Sequence, residues 1–313
     1  QAHDMTSHQT GSSFTRAVLT LLAAIFLFDI MGAIIKHLGG RYPTQQLAMF
    51  RNLFGLIPSI LVLFYSKSWY TAGKPIVLRQ WKLALLRGGF VVLAQFCFYL
   101  SLVHLEFATA STIGFSSPLF ITALSIPLLG SRVGVWRWLA VFLGFAGVIM
   151  VMRPGSELFN WYAVLPLGAA FGYACISITA RLFDDDAPTA LINVYSLVGA
   201  LAGSTALTFA TSGFSEIQTV QDWGWLIAMG FAGGLAVFLL ISAYRLTEPS
   251  NVSPFEYFGI PFSFAIGWIA FGEAPFDRLF PGVLFILAGG LLIVWREQAL
   301  KVKTPDLPKQ TVG

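Results

Sequence analysis

Ten long apolar segments run along this chain and leave few folds open to it. They lie at about 17–38, 44–65, 81–103, 108–130, 135–153, 161–182, 188–211, 223–246, 250–272 and 280–296. Each is close to the ~20 residues with which a helix crosses a ~30 Å hydrocarbon core. A spanning helix pairs its backbone polar groups internally. The alternative, a barrel of alternating strands about ten residues long, does not fit runs of this length. The predicted fold class is therefore an all-α polytopic membrane protein with ten transmembrane helices. Composition agrees: 56% of the 313 residues are hydrophobic and only 11% are charged, against about 25% charged in a soluble domain.

The formal charge is +4. The basic residues lie between apolar segments and form no patch, so nucleic acid is not an expected partner; the expected partners are a lipid bilayer and a small-molecule substrate. Cys97 and Cys175 fall inside apolar segments and read as small buried hydrophobes. The four histidines are scattered without metal-ligand spacing. There is no Gly-x-x-x-x-Gly-Lys-Ser/Thr loop to imply ATP. No His-Glu-x-x-His, Gly-x-Ser-x-Gly or paired aspartates point to an intramembrane enzyme. No cofactor or metal is expected.

The first fourteen residues are polar and the first apolar segment is too long for a signal-peptide core, so no cleavable leader is expected. Met5 reads as the natural start, with "QAHD" before it. If the N-terminus lies inside, the cytoplasmic side holds 14 Lys and Arg and the opposite side 5. That bias predicts an inner-membrane protein with both termini in the cytoplasm.

The chain repeats itself. Lys36, Pro43 and Tyr99 match Arg181, Pro188 and Tyr244 at a shift of 145. Pro118, Gly147 and Arg153 match Pro261, Gly290 and Arg296 at a shift of 143, and "GVIMVMR" ends one segment as "GLLIVWR" ends another. The expected organisation is a tail at 1–16, a first five-helix repeat at 17–153, a linker at 154–160, a second repeat at 161–296 and a tail at 297–313. An odd number of spans per unit inverts the second repeat. Inverted repeats are a transporter signature, with the site near the midplane between them.

The stretches "YLSLVHLEFATASTIGFSSPLF" (Tyr99–Phe120) and "AYRLTEPSNVSPFEYFGIPFSFAIGWIAFGEAP" (Ala243–Pro275) each combine a helix, a very short turn and a proline-bearing helix. In this, and in "FGE" ahead of a glycine-bearing last segment, the chain resembles the drug/metabolite transporter superfamily, in its EamA-type branch. It departs from that branch at Ser131 in "LLGSRVG", where a glutamate is common. The resemblance implies two inverted five-helix repeats around a central cavity, moving a small polar or zwitterionic, amino-acid-like metabolite by alternating access, with or without proton coupling. A nucleoside-like compound, S-adenosylmethionine or a vitamin is the alternative cargo, and a lipid-carrier flippase is an alternative of another class. Monomer and homodimer both remain open.

Ionisable residues inside spans are costly, by at least ~2.5 kcal/mol at the helix centre. Asp29 and Arg51 fall roughly 10–14 Å deep on consecutive helices. They read either as an ion pair locking those helices or as groups for substrate and proton. Glu256 lies about 9 Å from the other side, near Arg87. It reads either as an anchor, through Arg87 and the helix dipole, or as a gate carboxylate. Asp29 and Glu256 are the proton-coupling candidates. Lys36 reads as a cation complementing its helix C-terminus. Uncharged polar residues complete the expected substrate set: Gln95, Tyr99, Ser116, Tyr173, Asn193 and Tyr257 join Asp29, Arg51 and Glu256. Gly144, Gly147, Gly289 and Gly290 are expected to let the two closing helices pack closely, on each other or on a partner chain.

Overall fold

The computed structural model describes residues 2–129, 135–156, 159–184, 186–211, 213–246 and 253–303. Among them every regular element is helical. The first four α-helices are α1 (Ala2–Gly39), α2 (Thr44–Phe64), the short α3 (Lys67–Thr71) and α4 (Trp81–His104). They are followed by α5 (Phe107–Gly114), α6 (Ser117–Leu129), α7 (Val135–Met152), α8 (Leu165–Thr179), α9 (Thr189–Thr211) and α10 (Val220–Leu246). The chain closes with α11 (Gly259–Phe271), the short α12 (Phe276–Leu279) and α13 (Gly282–Lys303). Short 3₁₀ turns lead into α8 (Trp161–Val164) and α11 (Ser253–Phe258). Helix α1 begins well before its apolar segment, because a nucleated helix gains one hydrogen bond for each residue it adds. Ser131 and the chain beyond Lys303 lie outside the described residues, as do the side chains of Arg181, Tyr244 and Arg296.

Seven stretches are long and apolar enough to cross a membrane. Three shorter apolar helices, Trp138–Met152, Phe255–Phe271 and Gly282–Trp295, stand where the repeat pattern places the other three spans. Two spans are broken. Helix α5 ends at Gly114, and α6 restarts at Ser117 with Pro118 in its first turn. Proline has no N–H, so Pro118 cannot bond back to the Gly114 carbonyl and the helix parts there. In the ninth span the 3₁₀ turn gives way to α11 at Gly259, with Pro261 in its first turn. The matched prolines of the two repeats therefore mark matched breaks.

Packing follows the repeat. Helix α4 packs on α8, as α10 packs on α1. Helix α4 also packs on α9, as α10 packs on α2. Swapping the two repeats carries each contact into the other. Helices α7 and α13 pair at the side, with backbones nearly touching. A Cβ on Gly147 would stand 2.5 Å from the Gly282 carbonyl, and one on Gly289 would stand 2.7 Å from the Ala140 carbonyl. The closing helices thus pack on each other. The Gly147 neighbour is backbone and cannot yield, so Gly147→Ala should push α7 and α13 apart. Overpacking of this kind costs about 1–3 kcal/mol. Thermal unfolding in detergent should show a clear drop in midpoint.

Ten crossings place both chain ends on one face, the terminal face. The turns after α1, α4, α7, α9 and α11 lie on the opposite, distal face. The repeat symmetry fails at one level. On the distal side α1 packs on α4, and α5 packs on α11. Their counterparts under the repeat swap are α8 against α10, and the 3₁₀ turn Ser253–Phe258 against α6. Neither counterpart pair is packed among the described residues. Among the described residues the bundle is closed distally and less closely packed on the terminal side.

A polar clasp holds the distal closure. Lys36 Nζ lies 2.6 Å from Glu273 Oε1 and donates to the Leu105 carbonyl at 2.5 Å. Glu273 Oε2 accepts the Phe107 N–H at 2.7 Å, capping α5. Glu273 is aimed by the end of α11. Gly272 adopts φ +67°, and the Glu273 N–H returns to the Gly267 carbonyl at 3.0 Å. Around the clasp, Arg278 pairs with Glu106 at 3.7 Å and Arg41 with Asp222 at 2.8 Å. Lys36 is therefore an interhelical tie, a correction to its reading as a cation serving its own helix end.

Candidate functional site

At the centre of the bundle an amide pair joins two helices. Asn52 on α2 and Gln95 on α4 exchange hydrogen bonds, each 2.9 Å long. Ser204 on α9 accepts a third bond from Asn52 at 3.4 Å. Asn52 Oδ1 also accepts from Arg51 Nη1 at 3.3 Å. Arg51 is 7% exposed, and its Nε has no partner. The guanidinium lies against Gly233 of α10, where a Cβ would stand 3.1 Å from Nε and 3.3 Å from Nη2. No carboxylate reaches it among the described residues. A buried cation without a counter-ion is strongly disfavoured unless something else compensates it.

Two phenols share this space. The charge of Arg51 acts on both the Tyr99 and the Tyr173 hydroxyls. Tyr99 is buried in α4. Tyr173 on α8 is 38% exposed. Ser177, one turn further along the same face, is exposed as well. The arrangement is a cation with an unused N–H, two phenols within range of its charge and one hydrogen bond to an amide network. Chemically it is built to take a carboxylate or a similar planar anion.

The profile of the EamA-like transporter family matches residues 15–153 and matches again over 160–295. The chain belongs to that family. This EamA-like chain is 29% identical over 281 residues to the pseudopaline exporter CntI of Pseudomonas aeruginosa, covering 88% of this chain and 93% of that one. It is 25% identical over 271 residues to an S-adenosylmethionine uptake transporter of Rickettsia bellii, with 86% and 89% coverage. It is 32% identical over 182 residues to a riboflavin transporter of Vibrio cholerae, over 58% and 60% of the two chains. A solved crystal structure shares the fold, with a TM-score of 0.59 at 20% identity and coverage of 92% of this chain and 99% of the other. The chain is thus a multi-pass membrane protein of a transporter family.

In this EamA-like chain the expected site residues divide into groups. Arg51, Tyr99 and Tyr173 come together. Gln95 stands behind them, both of its amide atoms occupied by Asn52. The expected Asp29–Arg51 ion pair does not form. Met31 is the α1 residue that meets Arg51's neighbour Gly233, and Asp29, two residues earlier, is turned ~200° away around the helix. Helix α10 packs against both α1 and α2. Asp29 is 9% exposed and its Oδ2 has no partner.

The expected Glu256–Arg87 pair is also absent. Arg87 donates to Ser196 Oγ on α9 at 3.0 Å and to the Ile176 carbonyl on α8 at 3.3 Å. Glu256 sits on the 3₁₀ turn packed against α1 and α13. Its carboxylate has no hydrogen-bond or ion-pair partner among the described residues. Tyr257 is 8% exposed, and its phenol fills the space left by the missing Cβ of Gly290. It packs from the 3₁₀ turn against α13. Asn193 lies eleven residues before Ser204 on α9, hence ~16 Å from the amide network along the helix axis, and does not join it. Ser116 is buried at the α5–α6 break, and its hydroxyl has no partner.

Sequence reasoning passed over Asn52, Ser204 and Glu273. Asn52 adjoins Arg51 in an apolar segment, and that adjacency was the available signal. Glu273 lies in the quoted "FGE", but its partners come from α1 and from the α4–α5 turn, far away in sequence.

Proposed function

We propose that this chain is a secondary active or facilitative transporter. It carries a small polar or zwitterionic, amino-acid-like metabolite across the inner membrane by alternating access between the two repeats. The observation that carries this reading is the unpaired, buried Arg51 beside Tyr99 and Tyr173. In this reading Arg51 and the two phenols hold a substrate carboxylate, while Asn52, Gln95 and Ser204 hold Arg51 in place. The Lys and Arg bias supports a cytoplasmic terminal face. The packing asymmetry then corresponds to a cytoplasm-facing state. Glu256, unpartnered on the terminal half of the ninth span, is the carboxylate proposed to take a coupling proton.

The names of the uptake relatives favour a second reading, in which the cargo is larger, such as a nucleoside-like compound or a vitamin. One screen separates the two. Detergent-purified protein is heated with amino acids, vitamins, nucleosides and quaternary amines, and a ligand that binds the native state raises the unfolding temperature. Small carboxylates should stabilise the protein and their methyl esters should not. Stabilisation confined to nucleosides or vitamins would support the second reading. Stabilisation confined to amines lacking a carboxylate would remove Arg51 from the substrate site.

A further inference from the structure

The broken fourth span contains a second polar site, separate from Arg51. Among the described residues, buried serine and threonine hydroxyls are almost all bonded. Ser59, Thr122, Thr179, Ser196, Ser204 and Thr208 each donate to the carbonyl four residues back. Ser101 and Ser263 donate three residues back. Thr44, Ser66 and Thr109 bond to other side chains, and the three buried hydroxyls left without a partner all lie at one break. Ser111, Thr112 and Ser116, between 0% and 5% exposed, have no hydrogen-bond partner. Bonding back is the easy solution for a hydroxyl on a helix, so three exceptions within six residues require a local cause.

The backbone at the break is unpaired as well. The Phe115 N–H bonds to the Ser111 carbonyl and the Ser116 N–H to the Ile113 carbonyl. This leaves the Thr112 and Gly114 carbonyls without a backbone donor at the C-terminal, partly negative end of α5.

Asp29 lies on the stripe of α1 that is nearest this break. On α1, Ile25, Asp29 and Gly32 share one stripe. A Cβ on Gly32 would stand 3.0 Å from the Phe107 ring. A Cβ on Gly259 would touch both the Phe115 ring, at 2.3 Å, and Ile25, at 3.1 Å. Phe107, Ser111 and Phe115 in turn share one stripe of the fourth span. Phe107 thus reaches Gly32, and Phe115 reaches Ile25 beside Gly259 of α11, which places Asp29 and Ser111 at one level of two stripes that these rings join. The carboxylate oxygen of Asp29 that is buried there is unpartnered too.

We infer that Asp29, the hydroxyls of Ser111, Thr112 and Ser116, and the free carbonyls of the break form a site for one sodium ion. The chemistry selects a small hard cation. The donors are all oxygen, one carries a full negative charge, and unwound backbone in a broken span is where such ions are held. A proton on Asp29 would need a single acceptor and would leave the other hydroxyls and carbonyls unexplained. A substrate ammonium would need an opening that the burial of all four side chains does not offer. The site belongs to one repeat only. At a shift of 143, Pro254, Phe255 and Gly259 stand in place of Ser111, Thr112 and Ser116.

The test requires no known substrate and stands apart from the Arg51 reading. The unfolding temperature of the purified protein is measured in sodium chloride against equal concentrations of potassium, methylammonium and choline chloride, with ²²Na⁺ binding measured in parallel. The expected result is a saturable rise specific to sodium, with one ion bound per chain. Asp29→Asn should abolish both, and so should the nearly isosteric Thr112→Val combined with Ser111→Ala. The control Ser263→Ala should retain both. If Asp29→Asn does not fold, the Thr112→Val/Ser111→Ala variant decides. Equal stability in sodium and choline would overturn the proposal, as would an undiminished sodium effect in the hydroxyl variant. So would stabilisation by methylammonium alone, or by low pH alone with no sodium dependence.

Discussion

Arg51→Met should abolish carboxylate-dependent stabilisation and substrate flux while the protein remains folded. The expected fall in apparent affinity is at least ~30-fold. Removing one member of a buried, hydrogen-bonded charge pair costs about 2–5 kcal/mol, and each ~1.4 kcal/mol is a factor of ten. Stability without substrate should stay level or rise, because the substitution removes a buried charge that has no counter-ion. The Asn52–Gln95 pair does not depend on Arg51 and should persist. Gly233→Ala should act in the same direction more weakly, since its Cβ would crowd Nε and Nη2. Ligand titration and thermal unfolding of the same samples check both variants. An Arg51→Met protein that keeps its substrate affinity would remove the guanidinium from recognition.

Lys36→Met should be the most damaging change at the distal face. Lys36 and Glu273 are 11% and 22% exposed, so their pair lies between surface and interior. The substitution leaves Glu273 largely buried without its cation. The expected loss exceeds the roughly 1 kcal/mol of an exposed pair and stays below the ~5 kcal/mol of a fully buried one. Glu273→Gln removes the charge but retains an acceptor for the Phe107 N–H. Lys36→Met/Glu273→Gln should therefore be more stable than Lys36→Met alone, with a coupling energy of about 0.5–3 kcal/mol. The clasp holds α1, the α4–α5 turn and the end of α11 together. Loosening it should speed labelling of distal cysteines placed near Val103 in a background with Cys97 and Cys175 replaced by alanine. Unchanged labelling would mean that the distal closure rests on apolar packing alone.

The clasp has no acidic counterpart in the other repeat. At a shift of 143, Glu273 matches Gly130, next to Ser131, while Lys36 matches the basic Arg181 at the shift of 145. A closed terminal face would thus lack the carboxylate that ties the distal face. The difference matches the distal closure seen among the described residues.

Depth in the membrane was legible in the sequence, and direction around the helix was not. Counting residues put Asp29 and Arg51 at one level, and likewise Glu256 and Arg87. Pairing also depends on which way each side chain turns. Asp29 is turned away from the side of α1 that meets Arg51's neighbour Gly233, and Arg87 and Glu256 face different neighbours. Pro118 and Pro261 announced the broken spans, because a missing N–H acts locally. The breaks themselves fall just before them, at Phe115–Ser116 and at Gly259. Gly147 and Gly289 were legible as packing positions because close helix approach requires a small residue on both sides. Gly290 gave the same signal but serves a different neighbour, the Tyr257 phenol. The unbonded hydroxyls of Ser111, Thr112 and Ser116 had no sequence signature, since the bonded Ser and Thr residues are of the same type.

Uptake into proteoliposomes tests the central claim most directly. The compound that best stabilises the purified protein is supplied outside as radiolabel, with the same compound unlabelled either inside or absent. Alternating access around the Arg51 site predicts saturable uptake that is accelerated by internal substrate and lost in Arg51→Met. Uptake no faster than in protein-free vesicles, or full uptake by the Arg51→Met protein, would contradict it.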